Sequence, residues 1–212
     1  MSAAKPDPLP PTNGSPPRSS EVVSERPASP LQHMRSTVVV SGVAIMRDRG
    51  LFDRYSARLP AGAREAILGA LAGTWLPTAV VTEHFAAIDS LGLSTEQAHA
   101  IGASSGARFG KTLWGTLVRV AKAAGADPWV PLRSYERIFG RANDGGGFVV
   151  RKFGPKEATI ELSVPFARYA YFRGACCGAH ATLIGFLATS SHVREVPRSA
   201  HPDGFTMRAS WV

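Results

Sequence analysis

The chain has 212 residues, with 24 Lys and Arg against 16 Asp and Glu, a formal charge of +8, two Cys and 44% hydrophobic residues. So much apolar residue excludes a collagen-like or wholly disordered chain. One adjacent Cys pair excludes a disulfide framework, and the length excludes an enzyme of several large domains.

Eight of the 16 Pro lie within the first 30 residues, among Ser, Thr, Asn and Gly. Such a segment buries too little apolar surface to offset its chain entropy. A disordered or polyproline-like tail is therefore expected over residues 1–35, with a single α+β domain over 36–212. No apolar run of secretory type follows Met1, and Asp7, Glu21 and Glu25 do not suit a transit peptide. The expected location is the cytoplasm. The tail carries a net +1, which leaves +7 to the domain.

The β-branched run 37–40 and its resumption at 43–45 predict a strand, bent at Ser41-Gly42. Residues 46–55 predict a short helix with Leu51 and Phe52 inward. Helices follow over 63–71 and 78–91, the second with Val81, Phe85 and Ile88 on one face. Ser94 and Gln97 form a capping box, opening a helix expected to reach about residue 124. Its apolar face is Phe109, Leu113, Leu117 and Val120. Gly102, Gly106 and Gly110 recur beside that face. Each costs about 1 kcal/mol against Ala inside a helix, so their spacing points to close packing or a kink. A further helix is predicted over 127–139, then a Gly-rich loop. Strands 148–153 and 157–162 form a hairpin. A helix runs from Pro165 to about 187. A second hairpin spans 193–198 and 205–212, with Phe205, Met207, Ala209 and Trp211 on one face. The fold class is therefore α+β: N-terminal helices packed on an antiparallel sheet formed by a C-terminal ββαββ unit. Arg168, Arg173 and His180 interrupt the one long apolar helix, so no membrane span is expected.

Residues 105–112, Ser-Gly-Ala-Arg-Phe-Gly-Lys-Thr, approach a Walker A loop. The first Gly is missing and the run lies inside a capped helix, not after a strand. Arg108, Lys111, Arg119 and Lys122 share an arc of roughly 80° on that helix. Arg133, Arg137 and Arg141 form a second basic stripe. Both read either as solvated helix faces or as candidates for an anionic partner, an acidic protein or a phosphorylated ligand among them. The absence of aromatic interleaving and of any helix-turn-helix or zinc-finger pattern argues against nucleic acid.

The helix after Pro165 carries the densest chemistry. Tyr169, Arg173, Cys176, Cys177 and His180 fall on one broad face, the candidate lining of a pocket for an apolar small molecule. Ala170, Gly174, Gly178, Ala181 and Gly185 form a small-residue stripe beside it. Cys176 and His180 lie one turn apart and could share a metal, although no second ligand pair completes a closed site. The other reading is a pair of buried Cys acting as small hydrophobes, with a satisfied core His. Covalent haem attachment of the CxxCH type is absent, and so are a GxSxG elbow and paired carboxylates. No residue is assigned as catalytic, and the cofactor is unknown.

The run Gly50-Leu51-Phe52, the segment 135–140, the Arg-Gly-Ala-Cys-Cys-Gly run 173–178 and the closing strand with Trp211 resemble a myxobacterial family of paralogues of roughly 200 residues. That family implies no known activity. More distantly, helices followed by hairpin, helix and hairpin are similar to the vinyl-reductase (4VR) and haem-nitric-oxide-binding ligand domains. This resemblance implies an apolar ligand held between helices and sheet. The Tyr-x-Ser-x-Arg motif of the haem-binding members is absent, which argues against haem, and the 4VR cysteine set is reduced to Cys176 and Cys177. A non-enzymatic sensory or ligand-binding module is the leading expectation. A scaffold for an acidic partner and a metal- or thiol-dependent enzyme are the alternatives.

Overall fold

The chain enters the fold as a sheet edge. In a computed structural model, residues 20–71, 73–110, 120 and 122–212 are described. Strand β1, Glu21–Arg26, pairs antiparallel with strand β5, Gly147–Gly154. Strand β2, His33–Arg35, pairs with strands β3, Trp75–Pro77, and β4, Asn143–Asp144. The tail expected over 1–35 is therefore corrected from residue 21 onward; residues 1–19 lie outside the described residues. Backbone pairing, which composition does not reveal, recruits Glu21–Arg26.

Helix α1 spans Ser36–Asp48 and replaces the strand expected at 37–45. Val39, Val43, Ile45 and Met46 are its buried large residues, and Val39, Val43 and Met46 recur at helical, not alternating, spacing. Their burial outweighs the β preference of the Thr-Val-Val-Val run. Gly50 adopts φ +67°, and the Leu51 N–H closes back on the Met46 carbonyl at 2.8 Å. This Schellman-type stop splits the helix expected over 46–55. Helices α2, Phe52–Arg58, α3, Ala61–Leu68, and α4, Thr78–Asp89, follow.

Helix α5, Thr95–Gly110, opens on the expected box: the Ser94 N–H donates to Gln97 Oε1 at 2.8 Å and the Gln97 N–H to Ser94 Oγ at 3.2 Å. Its continuation toward 124 falls largely outside the described residues, as do the side chains of Phe109, Leu113 and Leu117. Val120, expected on the apolar face, is exposed. The helix expected over 127–139 is two, α6, Trp129–Arg133, and α7, Tyr135–Ala142, broken at Ser134.

The C-terminal unit is ββαββ. Strands β5 and β6, Glu157–Ser163, form the first hairpin. A 3₁₀ turn, Pro165–Arg168, precedes helix α8, Ala170–Gly185. The turn breaks the long helix at Tyr169, whose backbone is extended. Strands β7, Ser191–Glu195, and β8, Gly204–Trp211, complete an antiparallel sheet of order β1-β5-β6-β8-β7. The inward residues of β8 are those the alternation marked: Phe205, Met207, Ala209 and Trp211 are buried. Helices cover that face: Trp129 of α6 meets Trp211 with ring centroids 5.0 Å apart, Tyr135 of α7 meets Phe148 at 4.8 Å, and Phe172 of α8 meets Phe205 at 6.1 Å. The α+β class and the N-terminal helices on a ββαββ sheet stand as expected. Among the described residues no helix is long and apolar enough to cross a membrane.

Candidate functional site

Helix α8 sits where the helical layer meets the sheet, and its small residues set how it sits. A methyl built on Gly102 would lie 1.8 Å from the Ala175 carbonyl oxygen, and one on Gly178 would lie 1.9 Å from that of His99. Helices α5 and α8 therefore touch backbone to backbone. The Gly-rich stripes predicted on the two helices meet each other, and close packing is their purpose.

Around this crossing the interior is filled with aromatic rings. Phe85 of α4 lies 4.9 Å from both Phe166 and Phe172, and Phe166 lies 5.6 Å from Phe172. These rings pack in edge-on and tilted contact beside α8, in the region between that helix, the sheet and the N-terminal helices where the apolar pocket is expected.

The candidate residues of α8 divide into two groups. Tyr169 caps the helix, half-buried against the core. Arg173 turns toward β7: its Nε donates to both Glu195 oxygens at 3.1 Å and its Nη1 to the Ala167 carbonyl at 2.7 Å. That guanidinium is spent on holding helix to strand. Cys177 is buried beside this ion pair, and burial, reinforced by Glu195, pushes its thiol up to about 12.

Cys176 and His180 face α7 instead. His180 Nδ1 lies 2.8 Å from the Cys176 carbonyl oxygen, which only accepts, so Nδ1 carries the proton. His180 Nε2 is then the acceptor for the Tyr135 hydroxyl at 2.7 Å. Burial holds the imidazole below its ordinary pKa, against the opposing pull of the Cys176 carbonyl. Burial likewise pushes the Tyr135 hydroxyl and the Cys176 thiol well above their usual ranges. The cluster is a neutral chain of hydrogen bonds from the Tyr135 hydroxyl through His180 to the Cys176 backbone carbonyl. Neither ring nitrogen of His180 keeps a free lone pair for a metal. Neither Cys supplies the thiolate that a nucleophile requires. Among the described residues no group of three or more His, Cys, Asp or Glu could hold a metal ion.

A second buried pair lies among the N-terminal helices. The Tyr55 hydroxyl meets His84 Nδ1 at 2.7 Å, and the other side of the His84 ring packs on Gly42 of α1. Burial lowers the His84 pKa to about 3. Neither Tyr135 nor Tyr55 was a sequence candidate. Their partners stand 45 and 29 residues away, and no spacing rule joins them.

The basic candidates are partly spent. Arg108 pairs with Asp48, and Lys122 Nζ donates to the Ala188 carbonyl at 3.1 Å. Lys111 and Arg119 lie outside the described residues. Arg133, Arg137 and Arg141 are exposed on α6 and α7.

No protein-family model matches the chain, and no curated protein matches it. Solved structures do. The Fe(II) unliganded H-NOX protein from K. algicida is similar at 12% identity with a TM-score of 0.59, over 84% of this chain and 97% of that one. An H-NOX variant from T. tengcongensis is similar at 16% identity and a TM-score of 0.50, over 84% and 97%. A structure solved to probe haem distortion in the H-NOX family is similar at 15% identity and a TM-score of 0.50, over 84% and 95%. At such identities the likeness is one of fold: the chain has an H-NOX-like α+β fold.

Proposed function

We propose that this chain is a non-enzymatic ligand-binding or sensory module that uses an H-NOX-like fold without haem. The fold likeness, which spans nearly the whole of each H-NOX chain, supports the sensory part of the reading. The state of the interior carries the rest. Haem needs a flat apolar slot and an axial His, Cys thiolate, Met or Tyr. The described residues beside α8 do not fit it. Phe85, Phe166 and Phe172 pack beside α8. The buried imidazoles are engaged by Tyr55 and Tyr135, and both thiols are held protonated. The missing Tyr-x-Ser-x-Arg motif points the same way.

In this reading the Tyr135–His180–Cys176 cluster is the responsive element. It joins α7, which packs on the sheet through Phe148, to α8, which packs on α5. A ligand that displaces the Tyr135 hydroxyl would release one helix from the other. The test is native mass spectrometry of freshly purified protein. A small organic adduct lost on gentle activation is expected; bare chain from every preparation contradicts the reading.

A second reading, an acidic protein partner, is favoured by Arg133 and Arg137. Both are exposed, and neither is paired among the described residues. Such binding must weaken as salt rises.

A further inference from the structure

An open cleft of about 500 Å³ lies away from α8's Cys and His. Its lining is Arg49, Leu51, Arg54, Leu91, Gly92, Leu93 and Gln97. Two left-handed glycines build it. Gly50 and Gly92, each at φ +67°, end α1 and α4 and turn the chain so that Leu51, Leu91 and Leu93 form an apolar floor. A side chain with a Cβ would strain both turns.

Arg49 and Arg54 line the cleft together with these leucines, and no carboxylate is among its lining residues. Arg54 Nη2 makes one long bond, 3.4 Å, to the Leu91 carbonyl. The Arg49 guanidinium makes no hydrogen bond or ion pair among the described residues. Two nearby acids are engaged elsewhere: Asp89 Oδ1 accepts the Tyr171 N–H at 2.8 Å, and Asp48 pairs with Arg108, while exposed Asp53 is not among the lining residues. By contrast, neighbouring Arg47 covers the Phe52 ring at 4.6 Å, so the arginines here are not uniformly idle. A cleft of this volume lies in the range that takes small molecules. Its chemistry is specific: paired fork donors that match a carboxylate, beside a leucine surface that matches a short hydrocarbon.

We propose that this cleft binds a small amphipathic organic anion, with a carboxylate between Arg49 and Arg54 and an apolar chain on Leu51, Leu91 and Leu93. The site goes beyond the α8 reading and does not depend on it.

The test uses the full chain with octanoate, and with butyrate, octanol and inorganic phosphate as comparisons. Binding is followed by calorimetry and by the amide NMR shifts of Leu91, Gly92 and Leu93. Saturable one-to-one octanoate binding is expected, with those amides moving. Butyrate should bind more weakly, and octanol should not bind. Arg49→Gln and Arg54→Gln should each weaken octanoate about tenfold, the scale of one charge-assisted bond. Both positions are exposed, and an unchanged melting temperature confirms that each variant folds. Absence of saturable octanoate binding overturns the proposal, and so does binding unchanged in both variants. Phosphate binding as tightly as octanoate overturns the amphipathic class, because the leucine floor would then contribute nothing. Because neither variant touches Tyr135, His180 or Cys176, failure here leaves the α8 reading standing, and the reverse also holds.

Discussion

Tyr135 and His180 illustrate how a buried titratable pair is kept neutral. The Cys176 carbonyl sets the tautomer, the phenol fills the remaining acceptor, and burial opposes charge on either group. Removing the hydroxyl leaves His180 Nε2 unsatisfied. Tyr135→Phe is therefore expected to cost about 1–3 kcal/mol of stability in urea denaturation. His84 supplies the pH dependence. Its folded pKa, about 3, lies below the ordinary His value of 6.5. The unfolded chain therefore binds the extra proton first. His84's contribution is whole above about pH 6.5 and is lost as pH falls toward the folded pKa, at up to about 1.4 kcal/mol per pH unit. Urea unfolding of wild type and His84→Gln at successive pH values should show a shallower slope for the variant between pH 6 and 4. Parallel slopes would sink this assignment. Neither Tyr–His pair was legible in the sequence, since hydrogen bonds across 45 and 29 residues leave no periodic trace. The resemblance of 173–178 to a ligand helix did point to the right element. It did not reveal that Arg173 is committed to Glu195.

The crossing of α5 and α8 is the tightest contact between elements. Gly102→Ala and Gly178→Ala would each drive a methyl into a backbone carbonyl oxygen, at 1.8 and 1.9 Å. Each is expected to destabilise by about 3 kcal/mol or more, since backbone must move to relieve the overlap. Gly62 of α3 is the control: a methyl there meets nothing within 4 Å, and Gly62→Ala should stabilise by about 0.4–1 kcal/mol. Thermal melts of the three variants check both signs. The glycine spacing at 102 and 106 and the small-residue stripe on α8 were legible because close packing leaves a compositional mark. The C-terminal hairpins were legible because the sheet has one buried face, so β6 and β8 alternate. Helix α1 was not, because its β-branched run imitates a strand while Val39, Val43 and Met46 keep helical spacing. Strand β1 was hidden for another reason. It joins the sheet by backbone pairing at an edge, with Glu21, Ser24, Glu25 and Arg26 among its six residues.

Across the whole molecule, an H-NOX-like fold encloses a core of aliphatic and aromatic side chains, and tyrosine hydroxyls meet its buried imidazoles. The charge of +8 does not gather into one field. It is divided among guanidiniums paired with carboxylates, such as Arg108 and Arg173, and others such as Arg49, Arg54, Arg133 and Arg137 that make no ion pair among the described residues. Composition alone suggested an anionic partner, and the structure narrows where one could sit. In the proposed reading this fold works without haem. Its most direct test is a titration of the purified chain with hemin, followed at the Soret band and by native mass spectrometry. The account predicts no saturable Soret shift and no one-to-one haem complex. A stoichiometric complex with a defined axial ligand, lost in His180→Ala or Tyr135→Phe, would contradict it.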